Sequence, residues 1–390
     1  MGAWAGTASP AAGYVGRLET PLAHTILLAG GGTGGHVYPA LAMGDALRAR
    51  GHRVVYFGEA ARLEGRVAPQ RGYEFRSVEA AAFPRAGMVA KLKFGVALVL
   101  ASLRTRAMVK AEGATVVLGV GGYVMAPTVL GGWLCGVPSV IHEANVTPGL
   151  ANRLCARVAK LVLLTFGETA AKIPGKAERV LVGCPVNPKV LVGDRAAAAA
   201  RYGLDPARPT LLVVGGSLGA ATINEVARAA ALAWAPDSGA PQILHITGPR
   251  YHAEVHAAYV AALGAIPASL SVRDYEDRMG DAYAMADLAL CRAGSSTLSE
   301  LCVLGKPSVL IPSPNVTDNH QEGNARGLER VGAALVFVEK GLVVDEVVRQ
   351  MRALLADEVA RAKMGEAARG LGQPGTAERV ADLIEARFPT

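Results

Sequence analysis

Apolar and polar positions along this chain are arranged in blocks. Short uninterrupted apolar runs begin near residues 26, 54, 75, 116, 139, 161 and 180, separated by stretches with helical spacing. An apolar run without alternation is buried on both faces, as the strands of a parallel sheet are. Strands alternating with helices predict a doubly wound parallel sheet from Thr25 to about Val186. Between residues 185 and 210 the texture changes to Pro185, Pro188, an alanine run, Pro206 and Pro209, which reads as a linker. The pattern then restarts at Leu211-Leu212-Val213-Val214, with further strands expected near 244, 271, 288, 309 and 335. The expected architecture is α/β, with two similar doubly wound domains in tandem over residues 25–186 and 187–373. Residues 1–24 read as a loose extension without the apolar core of a signal peptide. An amphipathic helix over Thr376–Arg387, within a last segment at about 374–390, could pack on either domain.

One uncharged stretch, Gly113 to Ile141, is longer than a membrane span. Glycines, Pro127 and Pro138 interrupt it, so it reads as strand, loop, a helix at about Ala126–Cys135, and strand.

The stretch Ile26-Leu27-Leu28-Ala29-Gly30-Gly31-Gly32-Thr33-Gly34-Gly35-His36 joins a strand to a helix start through glycines. Glycines let backbone N–H groups approach an anion, and the helix dipole attracts it, so a phosphate or diphosphate ligand is expected. Gly30-x-Gly32-x-x-Gly35 also satisfies the dinucleotide pattern, which is weak evidence by itself. His36 is the unusual feature at the mouth of this turn. It is either a structural histidine bonded to a neighbouring loop or a general base, since imidazole titrates near neutrality. Gly215-Gly216-Ser217-Leu218-Gly219 echoes the first turn, and Gly294-Ser295-Ser296-Thr297 opens a third helix carrying Glu300 on its first turn. Glu300 could accept both hydroxyls of a ribose, or simply complement the helix dipole. With Gly121-Gly122-Tyr123 and His142-Glu143-Ala144-Asn145, five loops fall at the ends of strands, where open parallel sheets bind ligands. His142 and Asn145 could also be ordinary loop caps. Asp318-Asn319-His320-Gln321 is a polar loop that starts another helix.

Composition narrows these readings. The chain has 390 residues, 51% apolar and 5% aromatic, with 46 glycines, as suits two α/β domains rather than disorder. A net charge of +7 and pI near 9.2 point to an anionic partner: phosphorylated metabolite, anionic lipid or nucleic acid. Five cysteines without a C-x-x-C pair argue for a reducing cytoplasm and against a zinc site. No Walker A lysine and no Asp-x-Asp occur, so phosphate charge would be met by helix ends and hydrogen-bond donors, without an obligatory metal. From Arg85 to Lys110, basic residues (Lys91, Lys93, Arg104, Arg106, Lys110) flank apolar ones such as Met88, Leu92, Val96 and Leu103. That segment reads either as a surface for an anionic membrane or as a core helix with basic ends.

Gly31 to Pro39, Gly121-Gly122-Tyr123, His142-Glu143-x-Asn145, Gly215-Gly216-Ser217-x-Gly219, the Ala293–Glu300 turn and Asp318-x-His320-Gln321-x-x-Asn324-Ala325 occur in an order that resembles the MurG family, the peptidoglycan N-acetylglucosaminyltransferases. The likeness runs from about residue 24 to 386. It implies a GT-B fold, two Rossmann-like domains with the active site between them, the first taking the acceptor and the second UDP-GlcNAc. The implied reaction moves GlcNAc from UDP-GlcNAc to the C4 hydroxyl of MurNAc on undecaprenyl-diphosphate-MurNAc-pentapeptide, converting lipid I to lipid II with inversion. By position, Thr33, Gly34 and Gly35 would line the cleft and His36 would be the candidate base. Asn145 would contact the donor GlcNAc, Ser217 and Thr297 with their turns the diphosphate, Glu300 the ribose, and His320 and Gln321 the sugar hydroxyls. Uracil would meet main-chain groups near Tyr275 and Glu276, and the last helix would cross back onto the first domain. Expected partners are UDP-GlcNAc, lipid I, an anionic membrane surface and other cell-wall enzymes, with no nucleic acid, no required cofactor and a peripheral place on the cytoplasmic face of the membrane. Two positions depart from the family pattern. Gly183-Cys184-Pro185-Val186-Asn187 lacks the usual arginine, whose charge Lys189 could replace, and Ala144 stands where glutamine is common.

Other readings are a GT-B transferase with another donor or lipid acceptor, an NAD-dependent dehydrogenase using Glu59 for its ribose, and a basic nucleic-acid-binding module. A single dinucleotide fold leaves the glycine turns near 215 and 294 unexplained, and basic residues without a nucleic-acid motif are thin evidence.

Overall fold

The computed structural model describes residues 23–80 and 87–389; most of the expected extension (residues 1–22) and Arg85 lie outside the described residues. His24 belongs to the folded body: it is buried, its Nδ1 lies 2.9 Å from Thr115 Oγ1, and its N–H donates to His52 Nδ1.

The first domain has strands β1 (Thr25–Ala29), β2 (Arg53–Gly58), β3 (Glu74–Ser77), β4 (Val116–Gly119), β5 (Ser139–Glu143), β6 (Leu161–Leu164) and β7 (Glu178–Leu181). They are interleaved with helices α1 (Gly34–Ala49), α2 (Leu63–Gln70), α3 (Met88–Ala111), α4 (Met125–Trp133) and α5 (Leu150–Cys155). The sheet runs β3-β2-β1-β4-β5-β6-β7 with every pairing parallel. Strand β1 is apolar from Ile26 on and sits mid-sheet, so Ile26 and Leu28 join the core on one face, and Leu27 and Ala29 that on the other. The long uncharged stretch resolves into β4, α4 and β5, and among the described residues no helix is long and apolar enough to cross a membrane.

The second domain repeats the plan. Its helices are α6 (Arg195–Tyr202), α7 (Ala221–Trp234), α8 (His252–Leu263), α9 (Met279–Met285), α10 (Ser295–Leu304), α11 (His320–Arg330), α12 (Val344–Ala356) and α13 (Glu358–Leu371); a further helix, α14 (Thr376–Arg387), follows them in the chain. Its strands are β8 (Thr210–Val214), β9 (Gln242–Ile246), β10 (Leu270–Arg273), β11 (Leu288–Cys291), β12 (Ser308–Leu310) and β13 (Ala334–Val336). They form a parallel sheet in the order β10-β9-β8-β11-β12-β13. In each domain the winding reverses beside the first strand, between β1 and β4 and between β8 and β11, which is where such sheets bind ligands.

The linker reading of residues 185–210 is corrected in part. The alanine run is helix α6, started by Asp194, whose carboxylate accepts from Ala197 N at 2.7 Å, and ended by Gly203 at φ 70°. Alanine's high helix propensity outweighed the surrounding prolines. Arg195 ties the helix to Asp287 at 2.8 Å, so the segment is integral to the second domain.

Helix α14 packs on α1, with Val380, Ala381 and Ile384 fully buried beside Ile26, Leu47 and Val182. Arg50 pairs with Asp382 at 2.6 Å and Glu385 at 3.0 Å, while His52 Nε2 meets Glu385 at 2.9 Å.

Helix α3 is the exposed exception to this packing. Met88, Val89, Leu92, Val96, Val99, Leu100 and Leu103 are each more than half exposed. At 100° per residue they share a stripe roughly 120° wide. This overturns the reading of α3 as a core helix with basic ends.

Because Ile384 completes the core of the first domain, Ile384→Ala is expected to destabilise that domain by about 2–5 kcal/mol. Urea unfolding followed by a probe in the first domain measures this; an unchanged midpoint would refute it.

Candidate functional site

Loops from both sheets enclose a cleft of about 3010 Å³ between the domains. On the first-domain side, the turns after β1 and β4 interlock. Gly31 N donates to Gly121 O at 3.3 Å, and a Cβ on Gly122 (φ 83°) would lie 2.2 Å from Gly31 O, so only glycine fits there. Thr33 is the exposed N-cap of α1, with no capping side-chain bond, and Gly34 and Gly35 open the helix. Glu64, fully buried, accepts from Gly32 N at 3.1 Å and from Glu59 N at 3.3 Å, holding the glycine loop from behind.

His36 is the third residue of α1 and is half-buried. Its ring lies against Gly121, where a Cβ would come within 2.6 Å of the imidazole. Nδ1 is 3.3 Å from Gly31 O. Nδ1 is equally 3.3 Å from Thr33 Oγ1, a hydroxyl that donates or accepts; in the tautomer that gives its Nδ1 proton to the Gly31 carbonyl, Nε2 keeps its lone pair. Burial lowers the imidazole pKa from 6.5, the Gly31 carbonyl opposes that, and His320 across the cleft lowers it further. His36 is therefore neutral at pH 7.

Asn145 sits where the domains meet. Glu143, buried at the end of β5, accepts from Asn145 N (2.9 Å), Gly149 N (3.0 Å) and Asn152 Nδ2 (2.6 Å), and burial raises its pKa. From the second domain, Asn324 donates to Asn145 Oδ1 at 3.1 Å and accepts from Val146 N at 2.9 Å. Behind Asn145, His142 Nε2 donates to Gly183 O at 2.8 Å, and burial holds this histidine neutral, with a pKa lowered to about 4.

The second-domain wall begins with the turn after β8, where Gly216 (φ 96°) and Gly219 (φ 79°) leave Ser217 exposed over the cleft. The turn after β11 starts α10, whose N-cap is Gly294 without a capping side chain, so the first N–H groups of the helix face the cleft. Thr297 is the third residue of α10. Glu300 is the sixth, in the second turn rather than the first. It stands beyond the positive pole of the helix, which removes the dipole-complement reading. Tyr283 donates to its Oε2 at 2.6 Å, and burial raises the Glu300 pKa against that bond. At the start of α11, His320 Nδ1 donates to Thr317 O at 2.8 Å, and Gln321 Oε1 accepts from Ser313 N at 2.9 Å, leaving the Gln321 amide donors for the cleft. Asp318 (φ 53°) and Asn319 (φ 47°) turn the chain into that helix in the left-handed region these residues tolerate.

All ten residues singled out in the sequence line this one cavity, together with Tyr275, Glu276, Asn187 and Lys189. Glu276 is buried and engaged by Arg201 and the Tyr202 hydroxyl, each at 2.9 Å. Asn187, at the place of the family arginine, accepts from Lys189 N at 3.0 Å, and Lys189 is exposed at the rim. Glu59 pairs with Arg62 at 3.2 Å. Sequence reasoning missed Glu64, Tyr283 and the joining role of Asn324, since each acts through a partner remote in the chain. Among the described residues, no group of three or more His, Cys, Asp or Glu could hold a metal ion.

Two Rossmann-like domains whose switch points face one cleft are the GT-B architecture of nucleotide-sugar glycosyltransferases. Residues 26–164 match the glycosyltransferase family 28 N-terminal domain and residues 210–385 its C-terminal domain, and the chain belongs to that family. The UDP-N-acetylglucosamine--N-acetylmuramyl-(pentapeptide) pyrophosphoryl-undecaprenol N-acetylglucosamine transferase of Clavibacter sepedonicus is 42% identical, with 92% of this chain and 95% of that protein covered. The transferase of the same name from Halothermothrix orenii is 36% identical over 92% of this chain and 98% of its own. The crystal structure of Acinetobacter baumannii MurG matches with a TM-score of 0.74 at 28% identity, covering 93% of this chain and 99% of that one. CalG4, the calicheamicin glycosyltransferase, shares the fold with a TM-score of 0.68 at 18% identity.

Proposed function

We propose that this chain is the inverting glycosyltransferase that moves GlcNAc from UDP-GlcNAc to the MurNAc C4 hydroxyl of undecaprenyl-diphosphate-MurNAc-pentapeptide, making lipid II from lipid I. The observation that carries this reading is likeness over 92% of the chain to transferases of that name. The cleft supplies the chemistry. His36 Nε2 takes the proton of the acceptor hydroxyl as its oxygen attacks the anomeric carbon in line, and UDP leaves from the opposite face. Charge growing on the departing diphosphate is met by the N–H groups that open α10 and by the Ser217 turn. Glu300 accepts the ribose hydroxyls, Gln321 and His320 hold the sugar hydroxyls, and the uracil lies against the main chain near Tyr275 and Glu276. Asn145 contacts the GlcNAc from the domain joint, while Thr33, Gly34 and Gly35 flank the acceptor. Lys189 supplies a cation near the position of the absent arginine. No cofactor is needed, and a divalent ion is not obligatory, because helix ends and these donors carry the phosphate charge.

The exposed apolar stripe of α3, flanked by Lys91, Lys93 and Arg104, lies on an anionic membrane surface at the cytoplasmic face. A peripheral enzyme held there meets its lipid acceptor and works beside other cell-wall enzymes. Nucleic acid is not a partner.

The defining test is transfer of labelled GlcNAc to a short-chain lipid I analogue offered beside simple sugar and lipid acceptors. Transfer to the lipid I analogue is expected, and UDP binding without that transfer would move the function to another GT-B acceptor. His36→Ala is expected to lower kcat by about 10²–10⁴-fold with donor affinity kept. Because the neutral imidazole is the active form and burial lowers its pKa from 6.5, the acidic limb of kcat should have its midpoint below pH 6.5. Full turnover by the variant, or an acidic limb above that value, would remove the role. Paired Leu92→Glu and Val99→Glu substitutions should weaken binding to vesicles containing anionic lipid while a water-soluble acceptor analogue is still turned over. Undiminished vesicle binding would show that α3 is not the membrane face.

A further inference from the structure

Behind the donor wall Glu300 has a buried partner to which the mechanism above gives no role. Tyr283, on α9, is 2% exposed and belongs to the second-domain core that also holds Leu212, Ala289, Leu298 and Leu301. Its hydroxyl donates to Glu300 Oε2 at 2.6 Å, the length usual for a hydroxyl on a charged carboxylate. A carboxylate has two oxygens and rotates freely about its last bond unless something fixes it. With Oε2 taken from inside the core, Oε1 is the oxygen left for the cleft that Glu300 lines.

The surroundings make this bond matter. Burial raises the Glu300 pKa, and the Tyr283 bond is what lowers it. The Tyr283 phenol is itself pushed well above 10 by burial and by the neighbouring carboxylate, so it stays a donor. Cys184 and Cys291, whose thiols also feel the Glu300 charge, are pushed up to about 12, chiefly by burial, and remain neutral.

We propose that Tyr283 is a positioning residue for donor recognition: it fixes the Glu300 carboxylate so that Oε1 accepts the ribose hydroxyls of the nucleotide sugar. This rests on the assignment of Glu300 to the ribose. Tyr283 touches no substrate and acts only through Glu300.

Tyr283→Phe keeps the ring and removes only the hydroxyl. Calorimetric binding of UDP and of 2′,3′-dideoxyuridine diphosphate to the full chain separates the outcomes. UDP should bind about 10- to 100-fold more weakly to the variant, the range for a lost bond to a charged group, while the dideoxy analogue should be little affected. In transfer assays the KM for UDP-GlcNAc should rise with kcat nearly unchanged. UDP affinity should also begin to fall at a higher pH on acidification than in the parent, since losing the donor raises the Glu300 pKa further. In a Glu300→Ala background, Tyr283→Phe should cause no further loss. Equal losses for UDP and the dideoxy analogue would mark Tyr283 as a packing residue and overturn the proposal, as would unchanged UDP affinity. If Glu300→Ala removes ribose discrimination but Tyr283→Phe does not, only the positioning role fails. If Glu300→Ala leaves discrimination intact, the ribose assignment itself fails, and the proposal with it.

Discussion

Everything at the cleft depends on backbone approaching backbone where a side chain would not fit. At the first switch point, Gly122 comes so close to Gly31 that a Cβ would sit 2.2 Å from its carbonyl oxygen. In the second domain, a Cβ on Gly219, in the turn after β8, would lie 2.1 Å from the oxygen of Thr247, just after β9. These approaches draw the turns tight against the sheet ends and leave the starts of the neighbouring helices open. The resulting N–H groups are directed by covalent geometry and need no reorganisation when charge develops nearby.

Buried carboxylates then fix what the glycines leave loose. Glu64 and Glu143 are both almost wholly buried, and each spends its oxygens on backbone N–H groups of a cleft loop. Glu300 follows the same logic in the opposite direction, anchored from the core by Tyr283 with one oxygen left for the cleft. The domains are also tied directly, through Asn324 to Asn145 and Val146 and through the Arg330–Glu168 ion pair. A movement at this joint therefore shifts a first-domain loop and the α11 sugar wall together.

The legible parts of the chain were those whose physics is local. Strands such as Ile26–Ala29 announce themselves by unbroken apolarity, and glycine turns by the absence of side chains; both are read within a window of ten residues. The alanine run at 196–200 misled because prolines on either side resemble linker punctuation, although Asp194 and Gly203 are ordinary helix boundaries. Glu300 was placed one turn too early because the helix start depends on where the β11 turn releases the chain. The α3 stripe could not be assigned to core or solvent, since hydrophobic spacing is the same in both. Tyr283, Glu64 and the joining role of Asn324 carried no local signal: the partners lie 17, 32 and 179 residues away.

The docking of α14 on α1 has a consequence for biogenesis. Residues of the last helix fill a gap in a core whose other members are synthesised first. A ribosome adding about 5–20 residues per second builds the whole second domain before that gap can close. The first domain thus waits, with apolar surface uncovered, while the second is made. Synthesis of α14, rather than completion of either sheet, is the event that seals the first domain.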